Sequence, residues 1–321
     1  MKIVVTGGSG FVGRYLIKKL LKEGHSVINI DIKDWYPPNI NNYKLIKMSI
    51  TSSKLKDAIP KGSVIVHLAT IQYATLKKRL PVEILEKVMY KTIFLGTKNL
   101  IEIARLKKIK KFIFISTDMV YGIPKTLPIS EEHNTHPLGP YGRYKLMAEK
   151  LLKKTKLNYV IIRPRFIIGP ERRGVLNPIF YMIKYSLPIP LIGGGKNIYQ
   201  MISIYDLVDL IDILIKKEVP SGIYNLGSDK YDTLYNHFQK LINDERSKSI
   251  IIPIPGVLVK IIFRYLIYMG IPVLYREQYE IADKNYFLST KKIKNVTNWK
   301  PKYTDYQMIL ITYKKFQEGK K

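Results

Sequence analysis

The chain opens on Lys2-Ile3-Val4-Val5-Thr6-Gly7-Gly8-Ser9-Gly10-Phe11-Val12-Gly13, a β-branched run that meets a glycine cluster and passes into an amphipathic pattern over 11–23. Strand, glycine turn and helix in that order aim a helix N-terminus at whatever lies over the turn. Gly7, Gly10 and Gly13 let the backbone bend, approach a pyrophosphate and pack helix on strand, with Phe11 and Val12 as the first helical residues. A glycine cluster alone is usually a plain turn. Here a second apolar run over 26–31 follows and ends on a carboxylate, Asp31, which completes a dinucleotide cradle. Asp31 can accept hydrogen bonds from both adenosine ribose hydroxyls and repels a 2′-phosphate, so it favours NAD over NADP, with Lys33 pulling the other way.

Outward from this stretch, Ile- and Val-rich runs at 2–6, 26–31, 43–48, 63–68, 111–116, 159–163 and 222–225 read as strands. Amphipathic patterns over 11–23, 81–107 and 141–154 read as helices between them. Short apolar runs alternating with helices predict an α/β, doubly wound parallel sheet of the Rossmann type. After Arg163-Pro164 the texture changes, with Pro170, Pro178, Pro188, Pro190 and Gly193-Gly194-Gly195 breaking the chain into short elements. The expected organisation is a nucleotide-binding domain over 1–165, to which 199–228 returns. A smaller C-terminal α/β substrate-binding region spans 166–198 and 229–321.

The 321 residues imply about two domains, able to bury on the order of 75% of the unfolded surface. The absence of cysteine excludes a disulfide scaffold, a cysteine nucleophile and thiolate metal sites, and no metal is expected. An apolar content of 46% excludes a disordered chain. No signal-peptide pattern opens the sequence and no window of 18 uncharged apolar residues follows, so a cytoplasmic address is expected. The 54 basic against 25 acidic residues leave +29. Basic residues are spread along the chain, as in Lys18-Lys19, Lys77-Lys78-Arg79, Lys153-Lys154 and Lys291-Lys292, and no zinc-finger, RNA-binding or basic-heptad signature accompanies them. No specific nucleic-acid partner is expected.

Tyr141 and Lys145 stand four apart, on one face of a helix, where an ammonium can lower a phenol's pKa. The same spacing recurs at Tyr15/Lys19, Tyr43/Lys47, Tyr73/Lys77 and Tyr121/Lys125, so spacing alone proves nothing. Position singles out Tyr141. Its helix starts after a loop carrying Pro137 and Pro140, downstream of a strand whose carboxyl end bears Ser116-Thr117.

These residues resemble the extended short-chain dehydrogenase/reductases, in particular the NAD-dependent epimerase/dehydratase group. The likeness runs through Thr6 to Gly13, His67-Leu68-Ala69, Ser116 to Gly122, Pro140 to Lys145, Arg163-Pro164, Gly169-Pro170, Asp206-Leu207-Val208, Tyr224 to Gly227 and Asn298-Trp299-Lys300-Pro301. It implies hydride transfer, with Tyr141 as acid/base on a substrate hydroxyl. Lys145 would hold the nicotinamide ribose and lower the tyrosine pKa, and Thr117 would hydrogen-bond the reacting oxygen, a role Ser116 could take instead. Leu68 and Ala69 would line the cofactor with the glycine loop and Asp31. A homodimer through the helix over 81–107 is a further implication.

The departures are informative. Met119 stands where sugar 4,6-dehydratases usually carry a glutamate base, so dehydration is disfavoured, and Asp118 is an acid or a loop-structuring residue. Phe166 replaces an amide at the diphosphate grip and Tyr199 replaces an arginine, although Arg165, Arg172, Arg173 and Lys196 could supply charge. Ser49 and Ile93 are smaller departures from an aspartate and an asparagine.

The favoured reading is an NAD-dependent epimerase or oxidoreductase acting on a secondary alcohol of a nucleotide sugar. A hydroxysteroid-dehydrogenase-like enzyme on a hydrophobic or lipid-linked alcohol and a non-catalytic NAD-binding regulatory protein are the alternatives. Around Lys260 and Arg264, the segment over 255–270 is apolar. It is expected to be a buried cap over the substrate pocket, with an exposed face resting on an anionic membrane as the less favoured reading.

Overall fold

The computed structural model describes residues 1–38, 40–72, 81–172, 174, 176–269 and 276–319. Tyr73/Lys77, Lys77-Lys78-Arg79, Arg173 and Gly270 lie outside the described residues. The strands are β1 (Lys2–Thr6), β2 (Ser26–Asp31), β3 (Tyr43–Lys47), β4 (Val64–His67), β5 (Lys111–Ile115), β6 (Tyr159–Pro164), β7 (Phe166–Ile168), β8 (Ile189–Ile192), β9 (Met201–Ser203), β10 (Gly222–Leu226) and β11 (Ile251–Ile254). The helices are α1 (Phe11–Lys22), α2 (Leu55–Ala58), α3 (Val82–Met89), α4 (Gly96–Leu106), α5 (Pro140–Lys153), α6 (Leu176–Lys184), α7 (Ile204–Lys216), α8 (Leu234–Asp244), α9 (Gly256–Tyr268), α10 (Arg276–Tyr279), α11 (Lys291–Thr297) and α12 (Asp305–Glu318).

Alternation along β1 explains the layers. Ile3 and Val5 point to one face, against Leu16, Ile17 and Leu20 of α1 and Leu207, Leu210 and Ile211 of α7. Val4 points to the other, toward Leu100, Ile101 and Ala104 of α4 and Ala148 and Leu152 of α5. Each such Ile or Leu withdrawn from water contributes about 1.5–3 kcal/mol. Two apolar faces demand helices on both, and the sheet obliges with seven strands, parallel throughout, in the order β10-β6-β5-β4-β1-β2-β3. This is the doubly wound α/β fold the sequence predicts. The winding reverses between β1 and β4, and ligands bind outside the carboxyl ends of strands at such a point.

At that reversal Thr6 and His67 face each other in register. The Thr97 hydroxyl donates to the carbonyl of Ile93 at 2.5 Å, so His67 Nε2 donates to Thr97 Oγ1 at 2.9 Å and Nδ1 accepts from Thr6 Oγ1 at 2.7 Å. Burial holds His67 well below the usual imidazole range, neutral and structural. The helix expected over 81–107 differs from an ideal one: α3 and α4 join through a π-helical turn, Tyr90–Leu95. Ile93, at the position of a family asparagine, is fully buried within that turn.

The segments beyond β6 form two small parallel pairs, β7 with β9 and β8 with β11. Buried Asp206 accepts from the N–H groups of Lys302 and Tyr303 at 2.9 and 3.1 Å, tying the chain end to α7. Asp305 accepts from Met201 N at 2.8 Å, and burial pushes its carboxyl up to about 7.

One expectation is overturned. The segment over 255–270 is not a buried cap: no residue of α9 is buried. Val259, Phe263, Leu266 and Ile267 lie half-buried on the inner side with Lys260, which pairs with Asp283 at 2.8 Å, and Arg264, itself exposed, reaches Glu280 at 2.6 Å from the edge of an exposed apolar stripe.

Candidate active site

Gly7 has φ +74°, and a Cβ there would lie 2.6 Å from Ala69 Cα, so only glycine lets the turn pass beneath Leu68-Ala69. A Cβ on Gly13 would lie 2.4 Å from Gly8 Cα, which is how α1 seats against the turn. Gly10 N donates to Gly7 O at 3.1 Å, and the first helical bond runs from Arg14 N to Gly10 O at 3.0 Å. The N–H groups of Phe11, Val12 and Gly13 therefore stand at the open end of the helix. Asp31 accepts from Ser9 N at 3.0 Å and Lys33 N at 2.9 Å, one bond on each oxygen, and each oxygen retains a lone pair. A close-packed glycine turn, open helix N–H groups and a positioned carboxylate fit a dinucleotide's pyrophosphate and adenosine ribose.

The second half of the site sits where β5 meets α5. Tyr141 and Lys145 lie on the first two turns of α5, both buried. Lys145 Nζ donates to the carbonyl of Ile115 at 2.7 Å and lies 6.0 Å from the centre of the Tyr141 ring. The turn after β5 packs on the same helix, because a Cβ on Gly142 would lie 2.7 Å from Met119 O. Thr117 caps that turn, accepting from Met119 N at 3.2 Å.

The expected lowering of the phenol is not what the chain's own groups produce. Burial pushes Tyr141 up to about 12, partly offset by the side chains of Gln72 and Thr70, and Glu277 and Asp118 push the same way as burial. Burial also brings Lys145 down to about 7. Desolvation is thus the largest influence on both groups.

Ser116 does not stand in for Thr117. Its hydroxyl donates to Glu149, whose carboxylate takes a bidentate contact from Arg163 at 3.1 and 2.5 Å. All three are buried, and Arg163 lies over the Tyr121 ring at 4.7 Å. Tyr121 donates to Asn225 Oδ1 at 2.7 Å, which makes it a link between the β5 turn and β10.

Asp118 is equally committed. Arg165 Nη1 donates to it at 2.7 Å, and the guanidinium is sandwiched between the rings of Tyr199 and Tyr286 at 4.2 and 4.4 Å. Asp118 is therefore the loop-structuring residue, and Tyr199 is a stacking partner in place of the family arginine. Nε and Nη2 of Arg165 are buried with no hydrogen-bond acceptor among the described residues. Arg172 lies over Phe11 at 5.5 Å and Phe166 at 4.6 Å. Burial lowers its guanidinium to about 10, against the pull of the Tyr199 and Tyr141 phenols, and no carboxylate pairs with it among the described residues. Lys196 is exposed, and so is Ser49, whose hydroxyl bonds Thr51 Oγ1 at 2.8 Å and accepts from Thr51 N at 3.2 Å.

Glu277 escaped the sequence reading. It comes from α10, 135 residues beyond its partner Gly142, whose N–H it accepts at 3.1 Å at the start of α5. Burial raises its carboxyl to about 7 despite the bonds from Gly142 and Tyr141 N–H groups. No motif or periodicity surrounds it, so nothing local marked it.

Comparison with known proteins agrees with this geometry. A family model described as NAD dependent epimerase/dehydratase matches residues 3–227. A putative UDP-glucose 4-epimerase of Methanocaldococcus jannaschii is 30% identical over 261 residues, 76% of this chain and 82% of the relative. A dTDP-D-glucose 4,6-dehydratase of Dictyostelium discoideum is 29% identical over 273 residues, 75% of this chain and 62% of the relative. The solved structure of a UDP-glucuronic acid 4-epimerase from Bacillus cereus in complex with NAD superposes with TM-score 0.80 at 21% identity, covering all of both chains. The protein is an enzyme of the NAD-dependent epimerase/dehydratase family, and its cofactor is NAD.

Proposed function

We propose that the enzyme epimerises a nucleotide sugar at a secondary alcohol by reversible hydride transfer. As phenolate, the form a cationic nicotinamide beside it would favour, Tyr141 Oη takes the proton of the substrate hydroxyl; Thr117 Oγ1, which donates to Asp118 at 3.2 Å, would turn to the same oxygen, and Lys145 anchors the nicotinamide ribose against Ile115 O. Gly7, Gly10, Phe11, Val12 and Gly13 hold the pyrophosphate, Asp31 the adenosine ribose, and Leu68-Ala69 the adjoining wall. When bound, NAD supplies the hydride acceptor.

The observation that carries the substrate class is the pair Arg165 and Arg172. Among the described residues, one has two buried donors without acceptors, and the other is a half-buried cation lying on Phe11 and Phe166 without a carboxylate. Buried donors and cations left open are costly unless an anion meets them, and a nucleoside diphosphate is such an anion. A neutral hydrophobic alcohol would leave both unpaired. Dehydration needs a second acid/base pair, but position 119 is a thioether and Asp118 is bonded to Arg165. The helix over 82–106 exposes Ile84, Tyr90 and Leu95, which supports a homodimer through it. The test is a panel of nucleotide sugars read for isomerised product. Arg172→Ala should raise KM at least roughly tenfold through the lost charged contact, with turnover on bound substrate retained. An unchanged KM would remove the diphosphate from this site.

A further inference from the structure

We propose that the outward face of α9 docks on the surface of an anionic phospholipid bilayer. An ordinary surface helix puts its apolar stripe inward and its charges in water. On α9 both sides are apolar: Val259, Phe263, Leu266 and Ile267 lie half-buried toward the body, with Phe263 packed on Tyr279 at 5.7 Å between ring centres and Lys260 paired with Asp283, while Arg264, 60% exposed, flanks the outer side and reaches Glu280 at 2.6 Å. The opposite stripe carries Val257, Ile261, Tyr265 and Tyr268, which are 70%, 58%, 62% and 85% exposed. Their spacing of four, four and three residues puts them on one side of the helix. Ile250 and Ile252, on the chain leading into α9, are exposed too.

Charge selects the occupant. Residues 246–276 contain no aspartate or glutamate but five basic residues, Arg246, Lys248, Lys260, Arg264 and Arg276. Lys260 and Arg264 are already paired, so Arg246 and Lys248 carry the open positive charge; a second copy docked on this face would bring two such segments together, whereas an anionic surface attracts them. Tyrosines among aliphatic side chains suit the headgroup boundary, where the ring is buried and the hydroxyl stays wet. The 13-residue helix is too short to span, and no described helix is long and apolar enough to cross a membrane. It would lie in the interface plane. α9 lies beside the segment that holds the start of α5, because Glu280 and Asp283, which pair with α9, follow Glu277 on the chain. Docking would then set the site beside the bilayer.

The test is co-sedimentation of the full chain with mixed phosphatidylcholine–phosphatidylglycerol vesicles and with phosphatidylcholine alone. The expected result is binding to the mixed vesicles that weakens as salt rises, with little binding to the neutral ones. Ile261→Ser/Tyr265→Ser should weaken it at least roughly tenfold, since two apolar anchors are lost, while NAD binding and thermal stability are kept. Arg246→Glu/Lys248→Glu, which leaves the Lys260 and Arg264 ion pairs intact, should weaken it as well. Wild type remaining in the supernatant at low salt overturns the proposal. So does equal binding by the Ile261→Ser/Tyr265→Ser variant, which would mean charge acts alone. Wild type that ignores vesicles but forms a dimer lost in that variant would assign the face to a second copy and overturn it too.

Discussion

Lys145 spends one of its three donors on the carbonyl of Ile115, which fixes the ammonium over the Phe114 ring at 4.7 Å and beside Tyr141. That arrangement gives Tyr141→Phe a defined outcome: turnover falls by roughly 10² or more for a lost acid/base group, with NAD binding and fold retained. Tyr121→Phe is the control. Its hydroxyl bonds Asn225 and neighbours Arg163, a structural role, so the expected loss is about 1 kcal/mol of stability in denaturant unfolding with turnover intact. Asp31→Ala should narrow the preference for NAD over NADP, read as the ratio of the two dissociation constants by calorimetry; equal affinities in the wild type would remove the role given to Asp31. Tyr141, Lys145 and Asp31 were legible in the sequence because each sits at a fixed offset from a local signature, a strand end or a helix start. Ser116 and Asp118 stayed open between a chemical and a structural role for the same reason. A hydroxyl and a carboxylate at a ligand-facing strand end look available, and only the fold brings Glu149 and Arg165 to occupy them.

At the level of elements, the catalytic helix owes its start to a residue far along the chain. Glu277 accepts from Gly142 N at the N-terminus of α5, where negative charge is favoured by the helix dipole, yet burial holds its carboxyl at about 7 against an ordinary 4.5. The sign follows from the protons bound. Between these values the folded chain keeps the proton that the unfolded chain has lost, so this contribution to stability is full below about pH 4.5 and is lost as pH rises to about 7. Glu277→Gln, permanently neutral, should lack that slope. Melting temperatures of the two proteins measured across this window should therefore diverge in favour of the variant as pH rises, and parallel curves would show Glu277 ionised in the fold. The π turn at Tyr90–Leu95 and the exposed stripe of α9 were illegible for a related reason. Periodicity reports that a helix has an apolar side, but not which side the rest of the molecule covers. α9 is apolar on both sides, and only the fold shows that Val259, Phe263, Leu266 and Ile267 take the inner one.

Over the whole molecule, strand number and parallel order were legible because a sheet covered on both faces writes itself as uninterrupted Ile/Val runs. The pairs β7–β9 and β8–β11 were not, since three- and four-residue strands between prolines and glycines carry too little pattern. The buried pair Glu149–Arg163 joins α5 to β6, and Glu149→Gln should destabilise the chain by about 3–5 kcal/mol in denaturant unfolding, because it leaves Arg163 unpaired. An effect under 1 kcal/mol would show the pair hydrated rather than buried. The same joint ties the carboxyl end of β6 to the helix that carries Tyr141 and Lys145. The central claim is that hydride leaves and returns to one carbon without exchange of carbon-bound protons. The most direct test is turnover of nucleotide sugars in deuterium oxide followed by mass spectrometry of the product. The account predicts an isomer of unchanged mass at its carbons; deuterium fixed on carbon, or loss of water, would contradict it and move the chemistry to dehydration.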